Sequence, residues 1–249
     1  IIILIMSSHP TPSPILERTD AAPLIALRDA RVSTARGAVL LDVPALDLFP
    51  GDRVVITGQS GSGKSMLLST LMGHWAVGLH FDGDRMTAPG PIGVVPQRGL
   101  DALHPLVPLG RQLARVSGTG RVRVEKTLAQ VGLPDPDLRR RRPAEISGGQ
   151  AQRAAVALAA LTDAPLILSD EPTSARDHDT RDLMLALLGE VIGPEQVLVV
   201  ATHDTTVVRV LGTRHLRVSE GRVTELPVEH GRAALRGTRA RDARRLRRP

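Results

Sequence analysis

The residues with the clearest chemical meaning lie in the segment GQSGSGKS at 58–65. This segment fits the pattern G-x-x-x-x-G-K-[ST], and it stands between a strand-like run, RVVIT, and a run with helical spacing. Glycines let the backbone curl until its N–H groups face a phosphate, and the start of a helix adds a favourable dipole. The pattern predicts a phosphate-binding loop. Its expected residues are Gly58, Gln59, Ser60, Gly61, Ser62, Gly63, Lys64, Ser65 and Met66.

Two side chains of this loop are expected to act on a nucleoside triphosphate. Lys64 would reach the β- and γ-phosphates, and the Ser65 hydroxyl would bind Mg²⁺, which bridges the same phosphates. Lys64 is one of two lysines in a chain with 32 basic residues. A compact ammonium therefore stands at the one place where a guanidinium fork would be poorly suited.

A second group of candidate residues follows the apolar run LILSDE at 166–171, which ends in two carboxylates. The carboxyl ends of parallel strands are where such sheets bind ligands. We expect Asp170 to hold Mg²⁺ through a water, and Glu171 to act as the general base that orients the attacking water.

The sequence SGGQ contains a second candidate anion site. Two glycines follow Ser147 at the start of a helical pattern, and helix N-termini bind anions. No phosphate-binding loop lies next to it in the sequence, so its ligand is expected to come from another molecule. The residues concerned are Ser147, Gly148, Gly149 and Gln150.

These candidates need a particular set of elements to position them. Short alternating apolar runs in PLIALRDARVS and AVLLDVPALDL predict two antiparallel edge strands. The region 99–144 is polar, helical in spacing and interrupted by prolines, so it predicts a separate helical lobe. Helices and strands alternate again after it, as a parallel sheet requires.

Five ordered motifs, GQSGSGKS, VVPQ, ISGGQAQR, LILSDEPTSARD and ATHD, resemble those of the ATP-binding cassette ATPases across residues 24–226. The resemblance implies that two cassettes enclose two ATP molecules head to tail. Ser147, Gly149 and Gln150 of one chain would then contact the γ-phosphate held by Lys64 of the other.

The resemblance also implies roles for four further residues. Gln97 would sense Mg²⁺ and the attacking water and act as a hinge for the helical lobe, and His203 would contact the γ-phosphate. Ser174 and Asp177 would lie in a loop that faces the dimer partner. The implied catalytic set is Lys64, Gln97, Glu171 and His203, and the implied metal set is Ser65, Gln97 and Asp170.

The fold implied by the resemblance is an α/β P-loop ATP-binding cassette with a mixed central sheet, an antiparallel β subdomain and an inserted helical signature lobe. The expected division is a flexible leader at 1–23, a nucleotide-binding core at 24–97 and 155–228, the helical signature subdomain at 98–154, and a basic tail at 229–249. The tail is interpreted as solvated, with contact to anionic lipid as a minor hypothesis.

Composition restricts the function classes. Aromatic residues make up 1% of the chain, with no Tyr, so surfaces that stack nucleic-acid bases are nearly absent and no nucleic-acid partner is expected. There is no Cys, which excludes disulfides and thiolate metal sites in this chain. No apolar run approaches membrane-spanning length, so membrane association would have to come through a partner or the surface.

Two departures from the family pattern affect the expected partner and nucleotide contacts. The aromatic residue that usually stacks on adenine is missing from RVSTARG at 31–37. Arg176 stands where the family usually has leucine, and this charge favours a non-identical second cassette, although a homodimer stays open.

The segments PQRGLDALHPLVPLGRQLA and VGLPDPDLRRRRPAEISGGQ are similar to the dipeptide, oligopeptide and nickel importer branch of the family. That resemblance implies transmembrane permease subunits as partners, an extracellular solute-binding protein as an indirect partner, and a location on the cytoplasmic face of the membrane. The expected ligands are ATP and Mg²⁺, and the expected solutes are peptides, nickel or metal chelates. The alternative is the ATPase of a soluble enzyme complex, such as one for phosphonate degradation.

Overall fold

The computed structural model describes residues 22–118, 120–172 and 178–228. The strands are β1 Ile25–Thr34, β2 Val39–Leu48, β3 Arg53–Thr57, β4 Leu79–Thr87, β5 Ile92–Val95, β6 Leu166–Asp170, β7 Val197–Thr202, β8 Arg214–Ser219 and β9 Arg222–Leu226. The helices are α1 Lys64–Met72, α2 Leu109–Ser117, α3 Arg121–Gln130, α4 Gly148–Leu161, α5 His178–Val191 and α6 Thr206–Leu211. Short 3₁₀ turns cover Gly99–Ala102, Pro136–Arg140 and Pro143–Glu145.

Within the described residues the strands form one mixed sheet in the order β4-β1-β2-β9-β8-β3-β7-β6-β5. The run from β8 to β5 is parallel, and β9 returns antiparallel to β8. β7 is buried along its whole length, because helices cover both faces of this half of the sheet. The expected mixed sheet, with its antiparallel part, is confirmed.

The antiparallel pairing of β1 with β2 is also confirmed, but the expectation that both are edge strands is wrong. β4 pairs with the free side of β1 and forms the sheet edge, while β2 continues into β9. Most β4 side chains are exposed or half-buried, so its sequence LHFDGDRMT lacks the strong apolar alternation that reveals a strand.

The helical lobe forms where the prolines predicted it. Pro136 and Pro143 each begin a short 3₁₀ turn, and α2 and α3 pack with α4. α4 buries a row of alanines, which allow close helix packing, and it continues without a break across residues 154 and 155. None of the helices in the described part of the chain has the length and apolar character needed to span a bilayer.

The two faces of the sheet carry two hydrophobic clusters. In β3, Val54 and Ile56 face the cluster that includes α1, whereas Val55 faces the cluster that includes α4 and α5. This alternation is the period of two that a strand imposes. Packing on both sides fixes β3, and therefore the loop that leaves it at Thr57, against the rest of the sheet.

Candidate active site

The predicted phosphate-binding loop connects β3 to α1 over residues 58–63. Gly63 is the residue before the first helical position and has φ +112°, a left-handed conformation that glycine adopts without strain. At Gly58 a Cβ would lie 2.4 Å from the Val218 carbonyl oxygen, so the loop lies directly against β8. The local geometry needs glycine at both positions.

Lys64 is held close to this loop. Its Nζ donates hydrogen bonds to the carbonyl oxygens of Gly58, at 2.9 Å, and Gln59, at 3.1 Å. The ammonium also lies 3.8 Å from Glu171 Oε1, and its side chain is 9% exposed. The positive charge is therefore fixed between the loop and the carboxyl end of β6.

Ser65 and Asp170 meet at the same edge of the sheet. Ser65 Oγ donates to Asp170 Oδ2 at 3.1 Å. Burial raises the pKa of the Asp170 carboxyl, the hydrogen bond from Ser65 lowers it, and the nearby Glu171 charge raises it again. Hydroxyl and carboxylate oxygens suit Mg²⁺, which completes its shell with waters and phosphate oxygens, so this pair fits the expected metal.

Glu171 lies directly after β6 with φ +43°, an uncommon conformation for a residue with a side chain. Its N–H donates to the Ala201 carbonyl at 2.8 Å, which fixes the turn against β7. Glu171 Oε2 lies 2.9 Å from His203 Nδ1 and accepts from Thr202 Oγ1 at 3.3 Å. The carboxylate is thus positioned between the ammonium of Lys64 and the imidazole of His203.

The second predicted anion site stands apart from this group. Ser147 Oγ accepts from the Gln150 N–H at 3.2 Å, and Gln150 Oε1 accepts from the Ser147 N–H at 2.9 Å. These reciprocal bonds form a capping box at the start of α4. Ser147, Gly148 and Gly149 are exposed, so the start of α4 is open to solvent.

Gln97 was expected at the end of a strand, and it lies two residues after the last residue of β5. It is exposed and lines a cleft of ≈ 540 Å³ together with Gly148, Gly149 and Pro172. The structure therefore places Gln97 at a cleft that it shares with Gly148 and Gly149 of the signature turn at 147–150. Ser174 and Asp177 lie outside the described residues.

The sequence reasoning missed two residues beside the loop. His215 Nε2 lies 2.7 Å from Thr57 Oγ1, and His215 and Arg217 line a cleft of ≈ 640 Å³ with residues 57–62 and His203. Burial lowers the pKa of His215, and the charge of Arg217 lowers it further. The contact comes from the parallel pairing of β3 with β8, which no local motif reveals.

Comparison with known proteins agrees with this geometry. The family model described as ABC transporter matches residues 41–174. The chain belongs to this ABC transporter family. The match spans β3, the phosphate-binding loop, the signature turn at 147–150, Asp170 and Glu171. The confirmed fold is therefore an ABC ATPase cassette, and the chain is an ATPase that binds ATP.

Individual relatives of this family cover most of the chain. It is 30% identical over 84% of its length to the peptidoglycan transport ATP-binding protein YejF of Agrobacterium fabrum, and the match spans 44% of that relative. It is 37% identical over 72% of its length to the thiamine import ATP-binding protein ThiQ of Jannaschia sp., of which it covers 82%.

A solved ATP-binding cassette gives the structural comparison. That cassette is a dimer in a post-hydrolysis state bound to ADP and inorganic phosphate. It is 26% identical to this chain, with a TM-score of 0.65, and the match covers 83% of this chain and all of that one.

Proposed function

We propose that this chain is the ATP-hydrolysing subunit of an ABC importer, and that Mg-ATP is hydrolysed between two cassettes. The observation that supports this most strongly is the arrangement of Lys64, Glu171 and His203 at one edge of the sheet. A cation, a carboxylate and an imidazole meet there beside a phosphate-binding loop. The signature turn, in contrast, is exposed and ready to contact a second molecule.

In this proposal Lys64 exchanges its bonds to the Gly58 and Gln59 carbonyls for bonds to the β- and γ-phosphates. The exchange is possible because the two carbonyls are weaker partners for an ammonium than charged phosphate oxygens. The loop N–H groups of residues 58–66 bind the phosphates, and the N-terminus of α1 adds its dipole.

Glu171 is the proposed general base. Its turn is fixed by the hydrogen bond to Ala201, so the carboxylate can orient an attacking water without rearranging the backbone. His203 Nδ1 lies 2.9 Å from Glu171 Oε2, and the imidazole would also contact the γ-phosphate. The ammonium of Lys64, 3.8 Å from Glu171 Oε1, helps to hold the carboxylate in place.

Ser65, Asp170 and Gln97 are the proposed metal-binding residues. Mg²⁺, when bound, would neutralise charge on the β- and γ-phosphates. Ser65 would supply its hydroxyl directly and Asp170 would act through a water. Gln97 would have to approach the metal from the cleft that it shares with Gly148 and Gly149. It would then act as a hinge between the helical lobe at 98–154 and the core at 24–97 and 155–228.

The second half of the site is proposed to come from another cassette. Ser147, Gly148, Gly149 and Gln150 would bind the γ-phosphate of the facing chain, and Ser174 and Asp177 would line the contact. The dimeric state of the solved cassette supports this arrangement. Arg176 favours a non-identical partner, because a positive charge at a dimer contact is matched best by a negative charge on the facing chain.

Transmembrane permease subunits are the proposed partners, with an extracellular solute-binding protein acting indirectly, and the chain would lie on the cytoplasmic face of the membrane. Import is supported by the similarity to the thiamine import ATP-binding protein of Jannaschia sp.. The solute we propose is a peptide, nickel or a metal chelate, on the strength of the segments that follow Gln97 and precede Ser147. The relatives described above are named for peptidoglycan and thiamine, so the proposed solute depends only on the segments after Gln97 and before Ser147.

A pull-down from native membranes tests the proposal. Tagged Glu171→Gln protein with Mg-ATP is expected to retain permeases and a second cassette, identified by mass spectrometry. The matched control carries Lys64→Ala as well, and it should lose the second cassette because it no longer holds the nucleotide. Recovery of soluble enzymes without permeases would replace the importer with a soluble ATPase complex, such as one for phosphonate degradation.

A further inference from the structure

An arginine-lined groove lies on the helical lobe, away from the phosphate-binding loop. It has a volume of ≈ 540 Å³ and runs between α2, α3 and the 3₁₀ turn Pro136–Arg140. Four guanidiniums line it, and Pro108, Ala114 and Val124 contribute apolar surface. The four arginines are Arg111, Arg121, Arg139 and Arg140.

The groove is built into the packing of the lobe. At Gly110 a Cβ would lie 2.9 Å from the Cβ of Arg139, so this glycine lets the turn approach α2 closely. The Leu109 N–H donates to the Arg141 carbonyl at 2.9 Å, and Leu138 is buried beneath the turn. These contacts fix Arg139 at the groove wall, where its side chain is 17% exposed.

Positive charge in the groove exceeds the nearby negative charge. Arg121 and Arg139 share the single carboxylate of Glu125, whose pKa they lower. Arg140 lies 4.0 Å from Asp137, and both side chains are largely exposed, so that pair contributes little. Among the described residues Arg111 has no acidic side chain within ion-pair distance.

A smaller hollow of ≈ 230 Å³ continues the groove. It shares Arg121, Pro136 and Arg139 with the larger one and adds two leucines, Leu128 and Leu133, together with Pro134 and the carboxylates of Glu125 and Asp135. Small-molecule sites enclose most of their ligand, whereas this surface is open along one side, where Arg111 and Arg140 are exposed. Two adjoining hollows, with four guanidiniums along the larger one and two leucines in the smaller one, suit an extended or helical segment whose acidic side chains meet the larger hollow.

We propose that this groove docks an acidic, partly apolar segment of a protein partner. Guanidinium forks bind carboxylates in bidentate pairs, and apolar side chains of the segment would fill the hollows. The recessed shape of the groove favours a protein segment over a flat lipid surface. The groove selects the docking segment by its charge and shape. This binding is independent of the transported solute and of ATP hydrolysis.

Binding of fluorescein-labelled synthetic peptides tests the proposal on the full chain. The first probe is a short helix of glutamate and leucine, the second replaces leucine with serine, and the third replaces glutamate with lysine. The first is expected to bind, more weakly as salt rises, because salt screens exposed ion pairs. The second should bind more weakly and the third should not bind.

Charge-reversal variants locate the binding. Arg111→Glu and Arg140→Glu are each expected to weaken the first peptide about tenfold or more. The matched control is Arg209→Glu, an exposed arginine on α6 that is distant in sequence from the groove, and it should leave the affinity unchanged. All three variants should bind ATP as the unaltered chain does, which separates this inference from the nucleotide site.

Three outcomes would overturn the proposal. The first is failure of the glutamate-leucine peptide to bind. The second is an equal loss of affinity in Arg209→Glu, which would reveal attraction to net charge. The third is binding of phosphatidylglycerol vesicles, abolished by Arg111→Glu, with no peptide binding, which would make the surface a membrane contact.

Discussion

The phosphate-binding edge of the sheet and the signature turn at the start of α4 differ in what they contact. Lys64, Ser65, Asp170 and Glu171 bond to each other or to neighbouring loop atoms within one chain. The side chains of Ser147 and Gln150 each accept from the other residue's backbone N–H, and Ser147, Gly148 and Gly149 are exposed. In the proposed arrangement the first region supplies one half of the ATP site, and the second supplies the other half to a facing cassette.

The largest difference in activity is expected when the proposed base is removed from the phosphate-binding edge. Glu171→Gln is expected to bind Mg-ATP but to lower kcat about 10²–10⁴-fold, which is the usual contribution of a general base. The substitution keeps an oxygen that can accept from His203 or Thr202. Steady-state phosphate release and nucleotide affinity measured on one preparation check it, and unchanged turnover would refute the assigned base.

A smaller effect is expected at the cation of the same region. Lys64→Ala should weaken ATP binding about 10- to 100-fold, since hydrogen bonds to charged groups contribute about 1.5–3 kcal/mol. Titration with a fluorescent ATP analogue measures this affinity. Lys126→Ala, at an exposed position on α3, is the matched control and should bind normally. Normal affinity in Lys64→Ala would argue against the loop as the nucleotide site.

The signature turn is expected to respond differently, because its residues act on another molecule. Ser147→Ala removes the helix cap and should lower the free energy of unfolding by about 1 kcal/mol. Ser147→Asp keeps a capping oxygen but adds a negative charge, so it should be as stable as the original chain and still lose ATP hydrolysis. Denaturant unfolding and ATPase assays together separate the two roles. Full activity in Ser147→Asp would show that no phosphate meets this turn.

The smallest effect is expected from pH. Because burial raises the pKa of Asp170, protonation should compete with Mg²⁺ at a higher pH than for an ordinary aspartate of pKa about 3.9. Mg²⁺-dependent nucleotide binding should therefore weaken as pH falls through the raised pKa. In Asp170→Asn this inflection should disappear, and an unchanged pH profile would remove Asp170 from the metal site.

The raised pKa of Asp170 also makes the free energy of unfolding depend on pH. The unfolded chain releases this proton at a lower pH than the folded chain does. The contribution of Asp170 to the free energy of unfolding therefore falls as pH rises through that window, in the absence of metal. Chemical denaturation at several pH values, compared with Asp170→Asn, measures this contribution.

The sequence predicted the parts of the site that depend on local patterns. GQSGSGKS between a buried strand and a helix located the loop, and the apolar run before Asp170 and Glu171 located the carboxylates. The helical lobe followed from its prolines. The loop and carboxylate signals each lie within a few consecutive residues, so their spacing alone predicts them.

The parts that were missed depend on pairing between distant segments. β4 has no strong alternation and is recognised by its pairing with β1. The contact between His215 and Thr57 joins residues 158 positions apart and requires the parallel register of β8 with β3. The proximity of Gln97 to Gly148 and Gly149 likewise depends on the position of the helical lobe. The motif VVPQ does not predict that position.

Light scattering on purified Glu171→Gln protein gives its molar mass and so shows whether two cassettes associate around Mg-ATP. We expect a monomer without nucleotide and a dimer with saturating Mg-ATP, or a dimer with its partner cassette if the pair is non-identical. Adding Ser147→Asp should return the protein to a monomer that still binds ATP. A nucleotide-bound Glu171→Gln protein that stays monomeric, alone and with every cassette recovered in the pull-down, would contradict a site completed by a second cassette.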